Sequence, residues 1–258
     1  MPFRPSIPAT VTSGIALAIL VNLGLWQYGR HVESSANLIT IHKHLDAPLA
    51  TNEDLAKPPA ELGWRKATLT GQFIDTAPYL VSGRFEFGQP GYDVIAPFQP
   101  FGGAPTMLVN RGWIPDEGWK DALAAVARDA PSGVPTTVDG LVMTIDTAAD
   151  VSPLAPTDVR PERWPQETTT YAGFAARVVG PPWHTIAKRA GVTAGVYLVV
   201  GPELKHDQGK AHNRVPISGY VAEPYAIDHL SYAIQWFAIG GVLVGAWAWS
   251  GIRRGREA

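Results

Sequence analysis

Two uninterrupted apolar runs bracket a long stretch of mixed polarity. The first is ATVTSGIALAILVNLGLWQY, residues 9–28, and the second is LSYAIQWFAIGGVLVGAWAWSGI, residues 230–252; neither carries a charge. Each reaches the roughly 20 residues that a helix needs to cross about 30 Å of hydrocarbon. The first is N-terminal, as a secretory signal would be. Yet Trp26, Gln27, Tyr28 and Arg30 follow its apolar core rather than a small-residue cleavage site, so it reads as an uncleaved span. HVESSANLITIHKHLD (31–46) lacks Pro and Gly and can continue that helix out of the membrane, until Pro48, Pro58 and Pro59 end it.

Between the spans the period changes. WRKATLTGQF (64–73), PYLVSGRF (78–85), YDVIAPFQ (92–99), PTMLVNRGW (105–113) and TTVDGLVMTI (136–145) are short runs rich in β-branched and aromatic residues, separated by Gly, Pro and Asp. This spacing predicts antiparallel strands. YLVV (197–200) and RVPISGY (214–220) read as further strands, and FGGAP (101–105) as a hairpin turn. Helices are expected over 116–130, where acids occupy the first turn and Pro131 follows, and over 183–191. Residues 151–182 read as irregular. The predicted architecture is two transmembrane α-helices flanking a mainly-β (α+β) extracytoplasmic domain, a twisted antiparallel sheet or partial barrel. Its divisions are a tip and first span (1–30), the β domain (31–228), and the second span with a basic tail (229–258).

Charge sets the expected orientation. Arg253, Arg254 and Arg256 follow the second span directly, which predicts a cytoplasmic C-terminus. Two spans then place both termini in the cytoplasm and the main domain outside, in the periplasm if the cell is Gram-negative. Residues 31–228 hold 16 Lys/Arg against 22 Asp/Glu, an acidic balance in keeping with that side. No basic cluster interleaved with aromatics points to nucleic acid. The chain has no cysteine, which excludes disulfides and thiolate metal sites.

Hydrolytic signatures are missing: there is no G-x-S-x-G, no H-E-x-x-H and no phosphate-binding glycine loop. His42 and His44 are two apart, which on a helix turns them to different sides. The expectation is a protein that is not an enzyme.

The membrane ends are richer. Asn22, Trp26 and Arg30 follow i, i+4, i+8, and His229, Tyr232, Ala233, Trp236 and Gly240 follow i, i+3, i+4, i+7, i+11. Each set makes one stripe, at the depth where one helix leaves the membrane and the other enters, and the two stripes are expected to face each other. Gly14, Ala18 and the G-x-x-x-G of Gly241 and Gly245 offer small faces for close approach. An aromatic belt accounts for Trp26, Tyr28, Tyr232 and Trp236 without further function. His229 is the harder residue to explain that way, because an ionisable group at a span entrance needs a partner. One reading is an axial ligand of haem iron, with the ring held between the helices by Trp26, Tyr232 and Trp236 and its propionates near Arg30. The other is a helix-pairing hydrogen bond from His229 to Asn22 or Gln27.

Three stretches resemble the surfeit locus 1 family of cytochrome c oxidase assembly factors. LGLWQYGR (23–30) is similar to its Gly-x-Trp-Gln-x-x-Arg. GYDVIAPFQ (91–99) followed by MLVNRGWIP (107–115) is similar to its central strands. HLSYAIQWFAI (229–239) is similar to the opening of its second span. The family usually has Asn where Asp228 stands and Thr where Gln235 stands. The resemblance implies an assembly factor that helps deliver haem a to the oxidase's catalytic subunit, with His229 matching the suspected ligand. It implies haem a as cofactor, and oxidase subunit I and haem a synthase as partners in the bacterial inner membrane. A cofactor-free scaffold that stabilises subunit I is the alternative. Asp228 is a candidate for setting the tautomer of His229. Within VNRGWIP, Arg111 and Trp113 are either parts of a fold-defining corner or a surface for a partner.

Overall fold

The computed structural model describes residues 3–74, 78–86, 88–145, 186–188, 190–204, 216–222 and 227–257. They fall into two units: one of the residues up to Thr40 and from Pro224, the other Ile41–Glu223. The first holds most of α1 (Ile7–Leu45), whose last turn falls in the second unit, and the last helix of the chain, α4 (His229–Glu257). Both are long and apolar enough to cross a membrane. Each start is capped as its sequence allows. Ser6 Oγ accepts from the Ala9 amide (3.2 Å), and an Asp228 carboxylate oxygen accepts from the Ser231 amide (3.0 Å). Such a cap satisfies one of the amides that the first turn leaves without an intrahelical partner. As its freedom from Pro and Gly predicted, α1 continues well past the apolar run. It ends with His42, Lys43 and His44 in its last turn, where positive charge meets the negative end of the helix dipole. His44 Nδ1 donates to the Gly63 carbonyl (2.7 Å).

The second unit is built on six strands: β1 (Lys66–Phe73), β2 (Tyr79–Glu86), β3 (Gln89–Pro100), β4 (Met107–Pro115), β5 (Thr136–Thr144) and β6 (Val196–Val200). α2 (Pro59–Leu62) is a single turn before β1, and α3 (Trp119–Asp129) joins β4 to β5. Five of the expected strands and the FGGAP turn stand where alternation placed them, and YLVV is β6. RVPISGY does not form a strand among its described residues; Ile217 and Tyr220 make isolated bridges to Trp113 and Glu203. The expected helix at 183–191 is described only in part, with Ile186–Lys188 helical, and the irregular segment 151–182 lies outside the described residues.

The sheet order is β1-β5-β6-β4-β3-β2, and β1 also pairs with β3. That extra pairing curls five strands into a closed ring, with β2 extending from the other half of the long β3. Closure takes place at Gly71–Phe73 against Phe98–Pro100. The ring is antiparallel except where β4 and β6 run parallel, a pairing that local alternation does not specify. β1 alternates in burial, as a strand with one face inside must. Ala67, Leu69, Phe73, Ala96, Phe98, Met107, Val109, Val138, Val142, Val196 and Leu198 fill the interior as one cluster. Against β3 and β4, Ile186 and Ala187 cover Tyr79, Val81, Ile95 and Leu108, while α3 covers Leu80, Val94 and Ile114. Neighbouring residues of β3 are therefore buried on both faces, which reads in sequence as a continuous apolar run.

Before β1, Asp54 organises the approach. Its carboxylate accepts from Lys57 Nζ (2.5 Å) and from the Thr51 amide (2.9 Å), with Arg65 at 3.5 Å. The Lys57 hydrogen bond, then the Thr51 amide, hold its pKa down at about 2. A carboxylate with a depressed folded-state pKa stabilises above its ordinary range and loses that contribution as pH falls through it. Asp54→Asn is thus expected to lower the melting temperature at pH 7. The gap to wild type should narrow as pH falls from the ordinary value of 3.8 towards about 2, measured by thermal unfolding across that range.

Candidate functional site

The two helices of the first unit pack antiparallel along a defined seam. From one end to the other the pairs are Gln27 with His229, Gly24 with Phe237, Leu17 with Gly240, Thr10 with Trp247, and Phe3 with Gly251. A Cβ at Gly24 would lie 2.6 Å from the Phe237 ring, and one at Gly240 would lie 3.3 Å from Leu17. At the opposite end the Phe3 and Trp247 rings meet edge-to-face at 5.2 Å, and the Arg4 amide donates to the Gly251 carbonyl (3.1 Å). Small residues admit the partner's bulk, as helix pairing in lipid requires.

This seam corrects the expected facing of stripes. On α4 it follows the predicted stripe closely: His229 and Trp236 are half-buried, Ala233 is 1 % exposed and Gly240 is buried. Tyr232 leaves it, at 48 % exposed. On α1 the seam runs through Leu17, Gly24 and Gln27, one residue round from the predicted line. Trp26 is 58 % exposed. Asn22 donates to the Ala18 carbonyl of its own helix (2.8 Å), and Arg30 pairs with Glu33 (2.8 Å). Asn22 and Trp26 instead share a face of α1 with Ile15, Ala18, Ile19 and Leu23. The small-residue faces are corrected too: Cβ atoms at Gly14, Gly241 and Gly245 would meet nothing within 4 Å.

At the end of the seam where α4 begins, His229 Nδ1 lies 2.8 Å from Gln27 Oε1. An amide oxygen only accepts, so the proton of this bond is on Nδ1. His229 Nε2 makes no hydrogen bond among the described residues. Asp228 does not approach the ring as its partner; its carboxylate caps α4. Asp and Asn are near-equal N-caps, so an Asp at this position keeps the local structure that an Asn provides. Gln235 turns back along its own helix towards Ser231 Oγ (3.4 Å). An imidazole whose Nε2 has no partner among the described residues is the kind of group that can serve as one axial ligand of a haem iron. Among the described residues no three His, Asp or Glu side chains gather as a protein-only metal site would need.

The residues of VNRGWIP separate in the folded chain. Trp113 is 3 % exposed. Its backbone exchanges two hydrogen bonds with Ile217 (3.0 and 2.8 Å) and its ring lies against Gly91. It is a core residue and presents no surface to a partner. Gly112, at φ +118°, turns the chain where a side chain would also press on the Ile217 carbonyl at 2.9 Å. Arg111 is half-buried. Its guanidinium stands 4.3 Å over the Phe73 ring and donates from Nη2 to the Val126 carbonyl. Burial lowers its pKa to about 10, against the opposing charge of Asp129. It borders two clefts, of about 600 and 470 Å³, so of the two residues only Arg111 is placed to meet another molecule.

A pair of spanning-length helices bearing an imidazole at one end, joined by a closed β unit, defines a two-anchor membrane protein. The model of the SURF1 family matches residues 14–241. The chain belongs to that family. A SURF1-like protein of Rickettsia bellii is 26 % identical over 232 residues, covering 89 % of this chain and 85 % of the relative. One from Monosiga brevicollis is 23 % identical over 247 residues, covering 89 % and 82 %. An uncharacterized SURF1-like protein of Mycobacterium tuberculosis H37Rv is 35 % identical over 98 residues, 36 % of this chain; that match spans about a third of the relative's length, 35 %.

Proposed function

We propose that this protein is an assembly factor for haem-copper cytochrome c oxidase that carries haem a towards the catalytic subunit, with His229 as the iron ligand. The family membership supports the general role. The observation that carries the finer reading is His229 itself, held at one end of the helix seam by a bond on Nδ1, with no partner for Nε2 among the described residues. The cargo would lie on the flank of the helix pair, because Ala233, Gly24 and Phe237 fill the seam itself. Trp26, Tyr232 and Trp236 supply apolar surface near that level, and Arg30 a cation for a propionate. The protein carries out no chemistry on its cargo; its residues bind, orient and release. In this reading both termini lie in the cytoplasm of a bacterial inner membrane and the β unit in the periplasm, which the Arg253, Arg254 and Arg256 cluster after the second span supports. Oxidase subunit I and haem a synthase are the partners in this reading, and Arg111 is the β unit's candidate contact to one of them.

Full-length protein purified from cells that also express haem a synthase is expected to show a Soret band. His229→Ala protein should insert and purify equally while losing that band. A second reading has its own observation. The Gln27–His229 bond also ties α1 to α4, as a cofactor-free scaffold for subunit I would need. In that case the wild-type protein shows no Soret band from cells making haem a.

A further inference from the structure

We infer that Gln27 is the residue that fixes His229 in the Nδ1–H tautomer, so that Nε2 presents its lone pair to an iron. This rests on the haem-carrying reading above and names the residue that prepares its ligand. A neutral imidazole has one proton and two nitrogens. Left alone in water it exchanges between tautomers, and only an unprotonated nitrogen can bind a metal. Here Gln27 Oε1, which can only accept, lies 2.8 Å from Nδ1, so the contact is a hydrogen bond in the Nδ1–H tautomer. Three nearby polar side chains have other partners: Asp228 the Ser231 amide, Gln235 Ser231 Oγ, and Asn22 the Ala18 carbonyl. Gln27 is itself half-buried on the seam face of α1, one turn from the buried Gly24. Gly24 also lies close against the Phe237 ring, so α1 and α4 are in contact one turn from Gln27. Gln27 is thus a positioning residue that acts through His229.

The choice of a neutral acceptor has a consequence for a carrier. An acceptor on the far nitrogen raises the basicity of a metal-bound imidazole, and a carboxylate does so more than an amide. An amide orients the ring while leaving the iron bond weak enough for the cargo to be passed on. Gln27→Glu keeps the length and the acceptor and adds charge. It should hold haem a more tightly and lower the midpoint potential of the bound iron. Gln27→Leu removes the acceptor and should weaken haem a retention by about 10- to 100-fold, the usual effect of losing a ligand's orienting partner.

The test has two independent readouts. The first is ¹⁵N NMR of the histidines in full-length protein from cells that make no haem a, with the His229 signal assigned by its loss in His229→Ala. A Nδ1–H tautomer in wild type that becomes a mixture in Gln27→Leu supports the inference; a Nε2–H tautomer in wild type overturns it. The second is haem a titration and potentiometry of wild type, Gln27→Glu and Gln27→Leu. A lower potential in Gln27→Glu supports the inference. Equal affinity and potential in all three, with His229→Ala still unable to bind, overturns the role of Gln27 and leaves the ligand in place. Full haem a retention in His229→Ala overturns the ligand itself, and the two failures are thereby told apart.

Discussion

Phe98→Ala is expected to remove about 3–5 kcal/mol from the stability of the β unit, the range for deleting a large buried ring. Phe98 is 0 % exposed and sits on β3 at the point where the ring of strands closes. It pairs in register with Phe73 of β1 on one side and Met107 of β4 on the other. The Phe73 and Phe98 rings meet edge-on at 5.1 Å, an arrangement that contributes about 0.5–1.5 kcal/mol beyond area burial. Phe73 in turn supports the guanidinium of Arg111. Alanine therefore leaves a cavity in the interior and loosens the closing pair together. Denaturant unfolding of the full chain in detergent, followed by tryptophan fluorescence, measures the loss. Phe98→Leu, which keeps part of the volume, should lose less.

The second large effect comes from adding one carbon. Gly140 on β5 pairs with Ala67 of β1 and Val200 of β6 at once. A Cβ there would lie 2.1 Å from the Val199 carbonyl oxygen and 2.8 Å from its carbon. Both obstacles are backbone of a paired strand, so no rotamer change relieves the clash. β5 and β6 must part, breaking ladder bonds in a ring with no slack. Gly140→Ala is expected to cost about 3 kcal/mol, the upper end for overpacking a tight interior. Loss of amide protection in β5 and β6 by hydrogen exchange, before loss in α1 and α4, is the signature to look for. A small residue whose close approach spans two strands also explains why this strand carries a glycine that weakens it in isolation.

Much of this fold was legible from local pattern. Charge-free runs of spanning length marked α1 and α4. Short β-branched and aromatic runs bounded by turn residues placed five strands from β1 to β5, and β1 shows the alternation of a strand with one face inside. What local pattern does not encode is pairing at a distance. The parallel contact of β4 with β6 joins residues such as Leu108 and Tyr197, and the second pairing of β1 closes the ring; neither has a signature in one segment. RVPISGY has strand composition, yet Ile217 makes only a bridge, because the edge it meets is Trp113 beside the Gly112 turn.

The candidate site was half legible. Residue types at the mouth of α4 singled out His229, and the resemblance gave it a role. Its partner was narrowed to Asn22 or Gln27, and the structure picks Gln27; a helix facing lipid is apolar all round, so no polarity contrast marked which of the two lay on the buried side. The aromatic and charged residues Trp26 and Arg30 drew attention to one line of α1, while the seam lay one residue over at Gln27. Small residues were the better signal: Gly24 stands one turn from Gln27, and its counterpart Gly240 lies on the His229 face. Asp228, where the family usually has Asn and which stood as a candidate for setting the tautomer, caps the helix instead. Trp113 of the central motif was open in sequence between a fold-defining corner and a partner surface, and its burial favours the corner.

The central claim is that the imidazole of His229 is the iron ligand. It is tested most directly by His229→Gly protein from cells making haem a, examined by optical and electron paramagnetic resonance spectra with and without added imidazole. The account predicts that His229→Gly loses the haem signal and that free imidazole restores a ligated spectrum like that of wild type. A wild-type spectrum in His229→Gly without added imidazole would contradict it.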